Sequence, residues 1–195
     1  MYSYIKGQVI QASPSVVIME TNDGVGYEIL ISLRTYEQIN GKKSCLLFTH
    51  LKISEDAWAM YGFADELERE TFRLLISVNG VGTSTARIIL SSFSPGELEQ
   101  IIGRGENMAL QKVKGIGAKT AERIVLELKG KLKPTHYELT GEKTANRDNT
   151  KSNEALLALQ NLGISKNIAE NALKKVIAIE ELPVEDIIKQ AFKHL

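Results

Sequence analysis

A twelve-residue pattern occurs twice in this chain at an offset of 35 positions. Leu75-Ile-Ser-Val78-Asn-Gly80-Val81-Gly82-Thr-Ser-Thr85-Ala86 returns as Leu110-Gln-Lys-Val113-Lys-Gly115-Ile116-Gly117-Ala-Lys-Thr120-Ala121, and seven of the twelve positions agree identically or by exchange of Val for Ile. Each copy reads as the end of one helix, a bend with two glycines around one apolar residue, and the start of a second helix. Gly80, Gly82, Gly115 and Gly117 permit positive φ and close approach of the backbone. The first-turn amides of each second helix have no intrahelical partner, and the helix dipole is positive there, so an anion is favoured. Phosphate is the expected anion, with Thr85, Thr120 and Lys119 as additional side-chain donors. Such contacts read no bases. One helix terminus contributes about 0.3–1 kcal/mol, so firm attachment requires several chains acting together, and an oligomer is expected.

Two other readings of the repeat are weaker. A plain αα-hairpin would use its glycines only to turn, which leaves the duplication and the adjoining basic segment unexplained. A dinucleotide site could take Leu74-Leu75-Ile76-Ser77-Val78 as a strand before Gly80-x-Gly82, with Glu99 downstream. It fails because Thr85 stands where the third glycine belongs, Leu110-Gln-Lys-Val113 is not strand-like, and no parallel-sheet rhythm surrounds either copy.

Charge is segregated rather than abundant. The 195 residues carry 24 Lys+Arg and 24 Asp+Glu, which excludes a polycation that coats nucleic acid or membrane by bulk attraction. Residues 110–133 hold Lys112, Lys114, Lys119, Arg123, Lys129, Lys131 and Lys133 against Glu122 and Glu127, a local +5 and the one concentrated positive patch. Cys45 is the single cysteine and His50, His136 and His194 are scattered, so no disulfide, zinc site or other cofactor is expected. Neither a secretory leader nor an apolar run of about 18 residues is visible, so the expected setting is the reducing cytoplasm, away from membranes.

The remaining pattern predicts a multidomain α+β protein. Residues 1–63 read as five strands, Tyr4–Ile10, Ser15–Glu20, Gly26–Ser32, Ser44–Lys52 and Ala57–Phe63, which suit a compact five-stranded barrel of the OB type. From Asp65 the period becomes helical, with Leu67, Thr71, Leu74, Leu75 and Val78 on one face, and Glu66, Glu68 and Glu70 are expected on solvated surface. Further helices are predicted over Thr83–Leu90, Pro95–Ile102 behind a Ser94 cap, Asn107–Lys112 and Ala118–Gly130, completing an all-α domain over 64–132. Residues 133–151 are nearly devoid of apolar side chains and read as a flexible linker. Residues 152–195 carry three helical patterns, Asn153–Asn161, Ser165–Ile177 and Val184–Lys193. They predict a small bundle with Leu156, Leu159, Leu162, Ala169, Leu173 and Val176 mostly in its core and some apolar surface left for a partner.

The duplicated bends are helix-hairpin-helix motifs, and the whole chain resembles the RuvA family of Holliday-junction-binding subunits. Asp23-Gly24-Val25-Gly26-Tyr27-Glu28, Thr49-His50, Glu55-Asp56-Ala57 and Tyr61-Gly62-Phe63 resemble that family's N-terminal domain. Glu154-Ala155-Leu156-Leu157-Ala158-Leu159-Gln160-Asn161-Leu162-Gly163 resembles its third domain. The resemblance implies a homotetramer, one or two of which hold a four-way Holliday junction open and square on a concave basic face. It implies that the third domain engages a RuvB-type hexameric ATPase, with a RuvC-type resolvase as a further partner, and that the chain itself performs no bond chemistry. DNA phosphates would meet Gly80, Gly82, Thr83, Ser84, Thr85, Gly115, Gly117, Ala118, Lys119, Thr120 and Arg123. Glu55 and Asp56 would form an acidic pin at the junction centre, where carboxylates repel phosphates and keep the strands apart. Thr83-Ser84 departs from the proline and basic residue that the family often places there, so Lys119 ranks above Ser84 as a side-chain contact.

Two competing classes are expected to fail. Tandem hairpins also occur in repair nucleases, ligases and glycosylases, but Glu55 and Asp56 are too few for a metal nuclease, and no Walker lysine loop is present. A single-strand binder would stack bases on Trp58, Tyr61 and Phe63, for which core packing or a subunit contact is the expected use.

Overall fold

The computed structural model describes residues 2–55, 57–132, 147–176 and 182–194. It contains two compact units, Met1–Glu138 and Leu139–Leu195.

The first unit begins with a closed barrel. Strands β1 (Tyr4–Ala12), β2 (Val16–Glu20), β3 (Gly26–Ile31), β4 (Ser44–Ile53) and β5 (Trp58–Phe63) run in the order β1-β2-β3-β5-β4, antiparallel except for the β3–β5 pair. Alternation places Ile5, Val17, Met19, Ile29, Ile31 and Leu47 inside. Gly7 is required by proximity, because a Cβ there would stand 2.3 Å from the Glu20 carbonyl oxygen. The strands match expectation to within one residue at each end, except that β1 continues two residues further, past an irregularity between Val9 and Gln11.

Helix α1 (Leu33–Ile39) was not foreseen. Seven residues are too few for a sustained 3.6 period, so the one legible sign was Ser32, whose Oγ accepts from the Thr35 amide at 3.0 Å. Helices α2 (Glu66–Ser77), α3 (Thr83–Ser92), α4 (Pro95–Arg104), α5 (Asn107–Gln111) and α6 (Ala118–Leu128) follow the predicted pattern closely. One core joins them to the barrel. Phe72 stacks within 5.1 Å of Tyr61 and 4.9 Å of Phe63, ring centre to ring centre, and this cluster runs on through Leu75, Ile89, Leu98, Leu110 and Ile124.

The buried face of α2 differs from the predicted one. Glu68, Arg69, Thr71, Phe72 and Leu75 are buried, whereas Leu67 and Leu74 are only half-buried. Glu68, expected on solvated surface, is fully buried and accepts hydrogen bonds from Ser32 Oγ and, at 2.8 Å, from Thr35 Oγ1. Thr35 Oγ1 in turn accepts from the Ala64 amide at 3.2 Å, so this carboxylate locks α1 to the segment that enters α2. Arg69 is equally unexpected inside. Its Nη1 donates to the Ser3 carbonyl at 2.9 Å and its guanidinium lies 5.4 Å from the centre of the Phe48 ring.

The second unit comprises α7 (Arg147–Asn161), α8 (Lys166–Leu173) and α9 (Val184–Phe192) around Ala155, Leu159, Ala169, Ala172, Leu173, Val176, Ile187 and Ala191. Helix α7 starts six residues ahead of the expected Asn153, inside the stretch read as linker; residues 133–146 of that stretch lie outside the described residues. Leu162, expected in the core, is 63% exposed because it lies just past the end of α7. No described helix is long and apolar enough to cross a membrane.

Candidate nucleic-acid interface

The repeat in sequence is a repeat in hydrogen bonds. In the first copy the amides of Val78, Val81 and Ala86 donate to Leu75, Val78 and Gly82 at 3.1, 3.0 and 2.9 Å. In the second, Val113, Ile116 and Ala121 donate to Leu110, Val113 and Gly117 at 3.1, 3.1 and 3.0 Å. Val81 and Ile116 are buried between their flanking helices and act as plugs that hold each bend shut.

The four bend glycines serve two purposes, a division invisible in sequence. Gly80 and Gly115 both sit at φ +91°, a left-handed conformation that side chains resist. Gly82 and Gly117 are N-caps with φ −81° and −87°, which any residue adopts, and a Cβ on either would meet nothing within 4 Å. Neither conformation nor internal packing demands glycine at these two positions. What glycine achieves there is an open helix entrance. Helices α1, α2 and α4 begin on Ser32, Asp65 and Ser94, whose oxygens accept from first-turn amides, and Ser94 with Glu97 forms a full capping box. Helices α3 and α6 have no side-chain cap, which leaves the N–H groups of Thr83–Thr85 and Ala118–Thr120 available to an outside acceptor.

The named side chains around these entrances are not equivalent. Ser84, Ala118 and Lys119 are exposed, and Thr85 and Thr120 are half-buried. Thr83 is buried, and its Oγ1 accepts from the Tyr61 hydroxyl of β5 at 2.9 Å, so only its amide faces the entrance. Arg123 projects from α6 toward the first bend. Its Nη1 donates to the Asn79 carbonyl at 3.2 Å, which fastens the second motif to the first, and its Nε lies 3.8 Å from Glu127 Oε1 on the same helix. Lys112, Lys114, Lys129 and Lys131 are exposed, and Lys133 lies outside the described residues.

Glu55 stands exposed in the turn between β4 and β5, closed by the Ser54 amide donating to the Ala57 carbonyl at 3.0 Å. Asp56 lies outside the described residues. Trp58, for which burial was one expected use, is 74% exposed, whereas Tyr61 and Phe63 are core residues. Among the described residues no three His, Cys, Asp or Glu side chains converge as metal ligands would.

Comparison with known proteins covers the chain from end to end. The model for the RuvA N-terminal domain matches residues 1–62, that for a SAM-like helix-hairpin-helix tandem matches 72–131, and that for the RuvA C-terminal domain matches 150–195. Proteins named Holliday junction branch migration complex subunit RuvA are similar over their full lengths and all of this chain. They include one from Christiangramia forsetii at 44% identity and those of Flavobacterium psychrophilum and Bacteroides fragilis at 42% each. With barrel, tandem hairpins and terminal helices all accounted for, the chain belongs to the RuvA family.

Proposed function

We propose that this protein is the non-catalytic, junction-binding subunit of a cytoplasmic branch-migration complex. The observation that carries the reading is the pair of uncapped helix entrances built on the same glycine bend, open to phosphate oxygens and blind to base sequence. Each entrance is worth about 0.3–1 kcal/mol, so four chains around a four-way junction supply the affinity that one cannot. One or two such tetramers hold the junction, with Glu55 and Asp56 at its centre. Residues 152–195 take a RuvB-type hexameric ATPase through Leu157, Leu162, Ile168 and Phe192, which are 47–63% exposed on a unit too small to hide them. A RuvC-type resolvase shares the junction's open face.

The test is one binding panel of four-way junction, duplex and single strand with Mg²⁺ present. Tight binding to the junction, with the DNA left intact, is expected; cleavage products would replace the scaffold reading by a nuclease. Within the same panel Lys119→Ala should weaken binding and lower the slope of log K against log salt by about 0.9 for each phosphate that the variant no longer neutralises. Ser84→Ala should change little, and equal effects from both would overturn the ranking of the two bends.

The pin has its own test. Glu55→Gln with Asp56→Asn removes two negative charges from the β4–β5 turn and should reduce the preference for junction over duplex or alter the branch-migration rate. A double variant identical to the parent in both measurements would remove the acidic pair from the mechanism.

A further inference from the structure

The β4–β5 hairpin outruns the barrel. Strand β4 pairs with β1 as far as Phe48, opposite Tyr4, and the Thr49 amide still donates to the Ser3 carbonyl at 3.0 Å, whereas its ladder with β5 continues from Phe48 opposite Phe63 to Ile53 opposite Trp58. Its last turn is therefore a two-stranded arm. Residues on the barrel-interior side of the arm continue the phase of Leu47 and Met60, and this phase ends in Ile53 and Trp58, directly opposite one another and 62% and 74% exposed. An isolated ribbon of this kind gains nothing by presenting an indole and an isoleucine to water.

Resting on the proposed junction-binding role, we infer that Trp58 is a DNA contact that stacks on a nucleobase unpaired at the crossover. Position supports it. Three residues further along β5, about 10 Å at strand rise, Tyr61 donates its hydroxyl hydrogen bond to Thr83 at the entrance of α3, so the arm springs from the strand that seats the first phosphate-facing bend. Charge selects the part of the nucleotide. The arm over residues 51–60 carries Lys52 against Glu55 and Asp56, a net −1 that repels phosphodiesters, whereas an uncharged planar base can lie on the indole. Acid at the tip and aromatic at the shoulder divide the labour, the one turning backbones away and the other receiving the base that parts from its partner.

Trp58 is the chain's only tryptophan, so its fluorescence reports this contact without background. Addition of a four-way junction to the full-length protein should quench the emission, and an equal concentration of fully paired duplex should not. Trp58→Ala should lower the junction-over-duplex preference at least about fivefold, and Trp58→Phe should restore most of it. Emission unchanged while the parent still binds the junction would overturn the inference alone. So would emission already blue-shifted in the DNA-free oligomer together with a smaller assembly mass for Trp58→Ala, which would make Trp58 a contact between copies. A parent protein with no junction preference would instead overturn the functional reading beneath it.

Discussion

Replacing Gly82 and Gly117 together by Asp should cut junction affinity by at least about 100-fold while leaving the protein as stable as before or slightly more so. The two effects have one cause. Both positions have ordinary φ and room for a side chain, so Asp introduces no strain, and its carboxylate can accept from the open amides of α3 and α6 as Asp65 does for α2. An N-cap Asp gains a few tenths of a kcal/mol over Gly. It also fills the niche with negative charge, and each phosphate then meets repulsion where it would have met N–H groups. In the proposed tetramer eight entrances would multiply a loss that is small at any one of them. Thermal melting and a salt-dependent binding titration on the same preparation provide the check. A folded double variant binding within threefold of the parent would exclude these entrances from the DNA interface. Gly80→Asp with Gly115→Asp is the contrasting pair, because φ +91° at both positions should cost stability as well as binding.

Glu68→Ala should be among the most destabilising single changes in the first unit, at about 2–4 kcal/mol, lowering the melting temperature by roughly 5–15 °C. The substitution removes the acceptor for Ser32 Oγ and Thr35 Oγ1 and leaves a void between α1 and α2. A loss below about 0.5 kcal/mol would show that water replaces the carboxylate at no cost. Titration supplies a second readout. Burial holds the Glu68 carboxyl above its ordinary value of 4.5, outweighing the hydrogen bonds from Ser32 and Thr35 that favour the ionised form. The folded state therefore binds this proton more tightly than the unfolded chain does. The resulting stabilisation is complete below the unfolded value and disappears as pH rises through the folded one. Glu68→Gln, which cannot ionise, should flatten the stability profile over that interval, as denaturant unfolding at a series of pH values would show.

The bends were legible in sequence because a left-handed backbone position can be written almost only as glycine, and writing it twice at one spacing fixes the rest of the bend. The roles of the four glycines were not, since Gly80 and Gly82 are the same letter for different reasons. Glu68 was hidden for a related cause. It shares the helical phase of Thr71, Phe72 and Leu75, but tracing a face through its leucines selects Leu67 and Leu74 instead and rotates the stripe toward solvent. The partners that make its burial tolerable, Ser32 and Thr35, belong to α1, a helix too short for its own period to register. Trp58 shows the converse, because strand alternation assigns it the barrel-interior side and cannot reveal that the barrel has already ended.

The absence of side-chain caps at the two helix entrances bears on motion as well as on affinity. A lysine or arginine that follows a phosphate must let go, swing and find the next one, whereas a fixed row of main-chain N–H groups offers each arriving nucleotide the same welcome as the last. With the spacing between the two motifs set by Arg123 on Asn79, the duplex would meet an even, shallow energy profile as it turns past. The surface would then work as a bearing, guiding a moving shaft without choosing where it stops, and all the directionality would have to come from whatever does the pulling.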